Sequence, residues 1–434
     1  MKAAFYTLGC KVNQYETESL AEQFAAAGFD VVSSDENADV YVINSCTVTA
    51  MGDQKTRQIL HRFRRDNPDS VIAVTGCMPQ ASPEGIGEAL PEADVITGST
   101  NRRQLIGAIQ EAMVSGERII EITDHEKGEI FEPLVISASG GHTRAFLKIQ
   151  DGCERYCAYC IIPRARGKLR SKPLKDVVNE AGSLSDAGYK EIVLVGINLS
   201  CYGVDQDSSL VEAVEAVAAI PSVERVRLGS LEPELLTQEV MERLAKLPEF
   251  CPQFHLSLQS GSKETLRRMC RHYTPDEYQE IVKNIYQSFE NPSITTDLMV
   301  GFPGESQEEF LESQAFLEKI GFAKVHVFAY SRRPDTAADR MPNQIDKKTK
   351  QVRSRSMQET AQKTRRHFLE SQLQTNAEVL FEEQEKGYWR GYSENYTPVF
   401  VKSEEDLAAQ VRQCQLMTVD TELDGCIGQL LTGD

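Results

Sequence analysis

The stretch Cys153-Glu-Arg-Tyr-Cys157-Ala-Tyr-Cys160 decides the fold of the central part of the chain, because it places three thiols within eight residues. Strand-like residues 144–149 lead directly into it. Three thiolates on one loop suit a four-iron cubane and leave its fourth iron open to another ligand. The alternatives are a zinc site that lacks one ligand, or three unrelated thiols. Zinc sites usually pair C-x2-C with a second pair or with histidines, which do not follow nearby, so the spacing favours iron–sulfur.

Length and composition set the outer limits. The 434 residues exceed what one hydrophobic core supports, so we expect two or three domains. Hydrophobic residues make up 41% and charged residues 26%, no apolar run approaches a membrane span, and the start MKAAFYTLGC lacks the h-region of a signal peptide. We therefore expect a cytoplasmic protein with no membrane partner. The eleven cysteines then predict metal ligands and buried thiols rather than disulfides.

The charge is strongly acidic but unevenly distributed. A net charge of -18 argues against non-specific adhesion to nucleic acid, and no DNA partner is expected. Residues 153–175 nevertheless carry seven Lys/Arg against one Glu, and residues 346–367 carry eight against two acidic residues. Such patches can hold phosphates, although an ordinary solvated face is the alternative explanation.

The amino-terminal part alternates strand-like and helix-like segments. Strand-like residues 3–8, 40–44, 71–75 and 95–97 are separated by helix-like residues 13–27 and 49–65 and followed by a closing helix at 102–113. This alternation predicts an α/β domain over residues 1–125 with a doubly wound parallel sheet.

Three cysteines occupy equivalent places in that predicted sheet. Cys10 ends a strand in TLGC, Cys46 in VINSC and Cys77 in VTGC. Because the carboxyl ends of parallel strands meet at one edge, we expect these thiols to converge, which makes a second cluster site plausible. The alternative is that each is a small buried residue at a strand end.

A second run of alternation follows linker-like residues 121–141. Its strand-like segments, which predict a partial (β/α)6 barrel over residues 139–370, are 144–149, 191–197, 225–231, 253–259, 294–300 and 324–330. A long basic helix at 346–374 precedes short alternating strands, so residues 371–434 predict a small all-β barrel. Its aromatic residues either bind RNA or, more commonly, pack its core; they are Tyr388, Trp389, Tyr392 and Tyr396.

The motifs together resemble a known family. The C-x3-C-x2-C spacing with Tyr159 before the last cysteine resembles the radical-SAM superfamily. The strings TLGCKVNQYE, VINSCTVT, VTGC, GCERYCAYCIIPRARG, LSLQSGS and DLMVGFPGE resemble its methylthiotransferase family, whose carboxyl-terminal β-barrel is called TRAM. This resemblance covers essentially the whole chain. GCKVNQYE with CIIPRARGKLRS is most similar to the branch acting on N6-threonylcarbamoyladenosine in tRNA. The branches for isopentenyladenosine and for a ribosomal protein, which usually carry GCQMN- and GCPKN-type motifs, are the alternatives.

The resemblance implies two [4Fe-4S] clusters. One would be held by Cys153, Cys157 and Cys160 and would bind and cleave S-adenosylmethionine (SAM); an auxiliary, sulfide-carrying cluster would be held by Cys10, Cys46 and Cys77. Two SAM molecules would serve to add a methylthio group to C2 of the adenosine at position 37, beside the anticodon. Electrons would come from an external donor such as flavodoxin or ferredoxin. A non-catalytic metal-binding RNA-binding protein is the alternative from another class.

Further site residues are predicted from their positions. Strand ends place six candidates for SAM contacts at the barrel mouth, with helix capping or buried hydrogen bonds as the alternative: Gly196, Asn198, Glu232, Ser257, Gln259 and Asp297. Tyr159 is a candidate to stack on the adenine. The cations that follow Cys160 are predicted to bind the tRNA anticodon stem-loop or a substrate carboxylate. They are Arg164, Arg166, Lys168, Arg170 and Lys172. A less specific candidate is the helix that carries Arg57, Arg62, Arg64 and Arg65.

Overall fold

The computed structural model describes residues 1–100, 102–126, 128–137 and 143–431. The predicted start of the second domain at residue 139, part of the predicted linker and the last three residues lie outside these ranges. Among the helices within them, none is long and apolar enough to cross a membrane.

The amino-terminal domain contains a six-stranded parallel sheet in the order β2-β1-β3-β4-β5-β6. Its strands are β1 (Lys2–Thr7), β2 (Asp30–Val32), β3 (Val40–Ser45), β4 (Val71–Gly76), β5 (Val95–Thr97) and β6 (Ile119–Glu121). Its helices are α1 (Lys11–Ala26), α2 (Ala50–Asp66), α3 (Cys77–Ala81), α4 (Ile86–Ala89) and α5 (Gln104–Ser115).

Both faces of this sheet are covered. Leu60 and Phe63 of α2 pack on one face, against alternate residues of β3 and β4. Leu20 and Phe24 of α1 pack on the other face, together with α5. Strands buried on both sides read as continuous apolar runs, which is why the sequence predicted a parallel sheet here. The doubly wound fold is confirmed.

The central domain is built on two four-stranded sheets, β10-β9-β7-β8 and β11-β12-β13-β14. The strands are β7 (Arg144–Asp151), β8 (Arg170–Ser171), β9 (Glu191–Gly196), β10 (Arg225–Leu228), β11 (Ser230–Leu231), β12 (Gln253–Leu256), β13 (Ser293–Val300) and β14 (Lys324–Ala329). The helices are α6 (Ile162–Arg166), α7 (Leu174–Asp186), α8 (Leu210–Ala218), α9 (Gln238–Leu244), α10 (Lys263–Arg268), α11 (Pro275–Ser288), α12 (Gln307–Ile320), α13 (Ala337–Arg340) and α14 (Lys347–Ser371).

The two sheets form one open half-barrel because β10 and β11 are a single strand interrupted at Gly229. The Gly229 N–H still donates to the Leu194 carbonyl of β9 at 2.8 Å, while β11 pairs with β12. The six predicted strand positions are all occupied, in the predicted order, and the partial barrel is confirmed. Aliphatic residues of the strands pack outward against the helices in the largest core cluster.

The carboxyl-terminal domain is a closed five-stranded barrel in the order β15-β16-β17-β19-β18. Its strands are β15 (Asn376–Glu385), β16 (Tyr388–Ser393), β17 (Pro398–Val401), β18 (Val411–Asp420) and β19 (Gly425–Leu430). Trp389 packs in its core. Tyr392 and Tyr396 stack on each other at 4.4 Å, and the Arg144 guanidinium lies 5.0 Å from each ring. These two tyrosines therefore bind the half-barrel rather than offering a free face to RNA.

The small barrel sits at the amino-terminal ends of the half-barrel strands. Arg227 of β10 donates to the Glu191 carboxylate at 2.7 Å and to the Glu394 carbonyl at 2.8 Å. Arg225 donates to the Glu378 carbonyl at 2.7 Å. Buried charge thus joins the two domains at the end of the half-barrel opposite the cysteine loop.

Candidate active site between two cysteine triads

The loop after β7 carries the second triad, Cys153, Cys157 and Cys160. Its entry is fixed by Gly152, whose φ is +73° and where an added Cβ would lie 1.8 Å from the Lys168 carbonyl oxygen. Only glycine fits such a left-handed, crowded position. Beyond it, the Cys153 N–H donates to the Gly167 carbonyl at 3.1 Å and the Ala158 N–H donates to the Met269 carbonyl at 2.9 Å. Backbone contacts to two other segments therefore hold the loop in place.

The thiols of the second triad fit a cationic cluster. Burial, together with the neighbouring thiols, raises the pKa of Cys153 to about 11 and that of Cys160 to about 12. A thiol with a raised pKa stays protonated at neutral pH, so a thiolate at these positions requires a positive group beside it, which iron supplies. Within the part of the chain that the structure describes, no three His, Cys, Asp or Glu side chains are grouped closely enough to hold a single metal ion.

An arginine contacts the second triad. Arg271 donates from Nη1 to the Cys157 Sγ at 3.2 Å and from Nε to the Tyr273 hydroxyl at 3.1 Å. Its other terminal nitrogen is bonded to the Glu232 carboxylate. Glu232, which the sequence predicted to contact SAM, therefore forms an ion pair with Arg271. Its carboxylate also lies 3.8 Å from Arg155.

The first triad gathers at the carboxyl edge of the amino-terminal sheet, as its strand-end positions predicted. Cys10 precedes α1, Cys46 follows β3 and Cys77 begins α3. A Cβ at Gly9 would lie 3.2 Å from the Cys46 Sγ, so the backbone beside Cys10 passes directly over Cys46. Burial raises the pKa of the Cys46 thiol, and raises that of Cys77 to about 12.

Arg166 joins the two triads. It ends α6, which begins two residues after Cys160, and its Nε donates to the Cys77 Sγ at 3.1 Å. Its terminal nitrogens bond the Glu16 carboxylate and the Asn13 side-chain oxygen. Asn13 in turn accepts from the Cys10 thiol at 3.6 Å. Ile161 and Ala165 pack against Cys77 on the same side. A short helix therefore connects the second triad physically to the first.

Arg166 and Arg170 correct the sequence prediction of a phosphate-gripping patch. The Arg166 side chain is fully buried, and that of Arg170 is 6% exposed. Both lie in an ionic network with the buried carboxylates Glu16 and Asp151. Lys172, placed in the same patch, is buried against Glu180. These cations stabilise the domain interface and are not available to tRNA phosphates.

Two further cations complete that network. Lys148 of β7 donates to Glu16 at 2.7 Å and to Asp151 at 2.6 Å, and Arg102 lies 2.9 Å from Glu16. Burial alone would raise the pKa of Glu16, but Arg102, Arg166 and Lys148 lower it to about 2. The same balance lowers the pKa of Asp151. The sequence does not predict these partners, because a lone charge in a motif gives no sign of burial.

A cavity of about 850 Å³ enters the half-barrel beside the first triad. Cys10 and Lys11 line it together with the predicted residues Gly196 and Asp297. Its lining does not include Cys153, Cys157 or Cys160. The Lys11 side chain is exposed at the cavity. Desolvation by the surrounding protein, together with the nearby Arg144 and Arg227, lowers the pKa of Lys11 to about 8.

Comparisons with known proteins show which families the two cysteine-bearing regions resemble. Residues 2–98 match the uncharacterized protein family UPF0004, and residues 147–317 match the radical SAM superfamily. The chain is 38% identical, over 95% of its length and 93% of the relative, to threonylcarbamoyladenosine tRNA methylthiotransferase MtaB of Bacillus subtilis. A protein of the same name from Aquifex aeolicus is 36% identical, over 95% of this chain and 99% of that relative.

The chain belongs to the radical-SAM methylthiotransferases.

More distant comparisons complete the description of this methylthiotransferase. A tRNA-2-methylthio-N(6)-dimethylallyladenosine synthase of Finegoldia magna is 32% identical over 88% of this chain and 83% of that relative. Among solved structures, the radical SAM methyltransferase TsrM of Kitasatospora setae matches with a TM-score of 0.56 at 14% identity, over 78% of this chain and 74% of that one. That likeness concerns the fold. As a radical-SAM enzyme, the methylthiotransferase uses a [4Fe-4S] cluster and SAM.

Two of the predicted SAM-contact residues have buried oxygen atoms that lack a partner. The side-chain oxygens of Asn198 and Gln259 accept no hydrogen bond within the described residues, and Gln259 is held at a φ of +63°. Unpaired buried acceptors at a strand end suit a ligand ammonium group. The Ser257 carbonyl accepts from Tyr273, and Asp297 lies 3.4 Å from the His255 ring. Tyr159 meets Phe302 edge-on at 6.4 Å.

Of the cations predicted to grip tRNA after Cys160, Arg164 and Lys168 remain at the surface of the methylthiotransferase. The Arg164 side chain is 42% exposed and pairs with Asp335 at 2.5 Å; Lys168 is exposed. On α2, Arg64 is bound to Asp94, and Arg62 lies over the Phe63 ring. Arg57, on the same helix, is exposed.

Proposed function

We propose that this methylthiotransferase adds a methylthio group to C2 of N6-threonylcarbamoyladenosine at position 37 of tRNA, with two SAM molecules and two [4Fe-4S] clusters. The observation that carries the substrate is the 38% identity to an enzyme named for threonylcarbamoyladenosine, over nearly the full length of both chains. The relative named for dimethylallyladenosine is 32% identical. That substrate is the second candidate.

The arrangement of the thiols supports two clusters. Cys153, Cys157 and Cys160 would hold the cluster that binds SAM, and Cys10, Cys46 and Cys77 would hold the auxiliary one. When bound, the first of these clusters supplies the radical chemistry with SAM, and the auxiliary cluster supplies the sulfur. The chain itself positions the two triads relative to each other. Arg166 donates a hydrogen bond to Cys77, and α6 packs against Cys77 directly after the second triad.

The test is a nucleoside analysis after turnover. Anaerobically reconstituted protein is incubated with SAM, a low-potential reductant and tRNA carrying either N6-threonylcarbamoyladenosine or the isopentenyl nucleoside. We expect the methylthio product with the first tRNA only. Product from the isopentenyl nucleoside alone assigns the second candidate, and an absence of 5′-deoxyadenosine would point to a non-catalytic RNA-binding protein. Iron content of about eight per chain supports two cubanes, and about four removes the auxiliary cluster.

The electron donor and the tRNA surface belong to the same proposal. Electrons are proposed to come from a flavodoxin or ferredoxin, and the anticodon stem-loop is proposed to lie across Arg164 and Lys168. Replacing each by Ala is expected to weaken tRNA binding and to lower the salt dependence of binding by a slope of about 1 per lost phosphate contact. Lys283→Ala, on the exposed face of α11, is the matched control. Equal slopes in all three variants would remove this surface from the proposal.

A further inference from the structure

Lys11 lies inside the half-barrel although it belongs to the amino-terminal domain. It is the first residue of α1 and follows Cys10 directly. Its ammonium group lies 5.5 Å from the centre of the Phe146 ring of β7. The next residue, Val12, packs against Val193 and Val195 of β9. The start of α1 therefore lies against the inner face of the half-barrel and carries the Lys11 side chain in with it.

The cavity that Lys11 lines joins the proposed sulfur source to the barrel interior. Cys10 forms part of one wall, and Gly196, Ser230 and Asp297 contribute strand positions from the other walls. Its volume of about 850 Å³ falls within the range of small-molecule sites. A nucleobase with a substituent at N6 fits a space of this size.

Lys11 differs from the other Lys and Arg side chains that line the cavity. Lys324 and Arg365 both pair with Asp424, and Arg390 pairs with Glu383 and Glu385. Within the described residues, no carboxylate lies within ion-pair distance of Lys11. The buried acid whose charge acts on Lys11, Glu191, is bonded to Arg227 and also faces Arg144 and Arg225. The cavity thus contains a cation that has no ion-pair partner among the described residues.

We propose that Lys11 binds the carboxylate of the substrate's threonyl group and thereby selects an anionic N6 substituent over an apolar one. This inference rests on the proposed function and names the residue that sets its specificity. When a substrate fills the cavity, little water is left to compete for either charge, so the Lys11 ammonium binds a carboxylate more strongly than it would in open solvent. An uncharged, apolar substituent would leave the ammonium desolvated and unpaired.

SAM also has a carboxylate, on its methionyl group, and the experiment separates the two sources. Wild type, Lys11→Gln and Lys11→Arg are compared on two anticodon stem-loop RNAs. One carries N6-threonylcarbamoyladenosine, and the other carries the same nucleoside with its threonyl carboxylate converted to the primary carboxamide. Affinity for each RNA is measured by fluorescence anisotropy without turnover, kcat/KM is measured with turnover, and SAM affinity is measured separately.

The selectivity ratio of acid to carboxamide is the deciding quantity. Because both RNAs are assayed on the same preparation, partial cluster loss beside Cys10 cancels in this ratio. Wild type is expected to prefer the acid by about 10- to 100-fold, as a charged hydrogen bond implies. In Lys11→Gln the ratio falls toward one, in affinity and in kcat/KM alike, and Lys11→Arg restores part of it.

A ratio that stays at the wild-type value in Lys11→Gln overturns the inference. So does a selective loss of SAM affinity, which would assign Lys11 to the methionyl carboxylate. The proposed function fails in a different way: wild type would then give no methylthio product with the threonylcarbamoyl RNA, whatever residue occupies position 11.

Discussion

Each cysteine triad has one arginine that donates to one of its thiols. Arg166 contacts Cys77 and is held by Glu16, and Arg271 contacts Cys157 and is held by Glu232. In both cases a carboxylate fixes the guanidinium, so the donor stays aimed at sulfur. Hydrogen bonds and positive charge near the sulfurs are what a protein uses to set the potential of a cluster.

These contacts lead to a prediction about the two proposed clusters. Arg166→Gln is expected to shift the midpoint potential of the auxiliary cluster to a more negative value, because it removes a cation and a donor from Cys77. Arg271→Gln is expected to do the same to the SAM-binding cluster. Redox titration followed by electron paramagnetic resonance measures both, with the other triad replaced by Ala to isolate each signal.

As the matched control, each replacement is also tested on the cluster that its arginine does not contact. Arg166→Gln is expected to leave the potential of the SAM-binding cluster unchanged, and Arg271→Gln that of the auxiliary cluster. If neither replacement moves the potential of its own cluster while iron content is retained, the arginines serve packing alone.

At the residue scale, the sequence predicted where the two groups of thiols lie and misjudged the arginines. Cysteines at motif spacing and at strand ends indicate their role by residue type and position. In the sequence, Arg166 and Arg170 lie in a basic stretch that is typical of an exposed surface. Their side chains are buried because they pair with carboxylates that are distant in the chain. Glu16 lies 150 residues from Arg166 in the chain, so no local pattern connects the two.

At the scale of a single element, the loop of the second triad depends on a close backbone contact at Gly152. Gly152→Ala is expected to displace the loop, since its Cβ would overlap the Lys168 carbonyl oxygen. We expect this variant to lose about four irons on reconstitution, the content of one cubane. Iron and acid-labile sulfide analysis checks the result.

Gly182→Ala provides the control for this prediction. Gly182 lies within α7, and nothing would meet its added Cβ. Alanine there favours the helix by about 0.5–1 kcal/mol, so full iron content is expected. A Gly152→Ala protein with full iron content would mean that the loop accommodates a side chain.

The sequence predicted long apolar elements well and short interruptions poorly. Six strand positions of the half-barrel were expected from their apolar runs, and all six are occupied. The break between β10 and β11 at Gly229 was not, because it depends on how two sheets meet. The two-residue strand β8 was also missed, since its pairing with Gln150 and Asp151 is tertiary.

At the scale of the whole molecule, Glu191 is the charge on which the contact between the half-barrel and the small barrel depends. Arg227→Met is expected to leave this buried carboxylate undercompensated and to destabilise the protein by about 3–5 kcal/mol. Trp389 is the one tryptophan of the sequence and lies in the core of the small barrel. The fluorescence of Trp389 during urea unfolding therefore reports on the unfolding of the small barrel.

An exposed ion pair serves as the comparison. Arg267, whose side chain is 71% exposed, pairs with Glu264, and Arg267→Met is expected to change stability by about 0–1 kcal/mol. Equal urea midpoints for the two Arg→Met variants would contradict the role given to Glu191.

The order of the three domains could be predicted from the helix and strand periodicity of the sequence. The contacts between the domains could not. Helix and strand patterns are local and visible in the chain. The contacts of Tyr392 and Tyr396 with Arg144, and of α1 with the half-barrel, join residues far apart in sequence. Residues 375–434 carry four Lys/Arg against twelve Asp/Glu, and this acidic composition gave no sign that the tyrosines of the segment meet arginines of another domain.

The buried network around Glu16 has a consequence for inheritance. Glu16 lies in the region that matches one family, Lys148 and Arg166 lie in the region that matches another, and Arg102 lies between them. A recombination event that exchanged only the amino-terminal region with a distant homologue would separate this acid from its counter-charges. The resulting chimaera would carry an unbalanced charge at its centre. We therefore expect the two regions to be inherited together, although each is a separate fold.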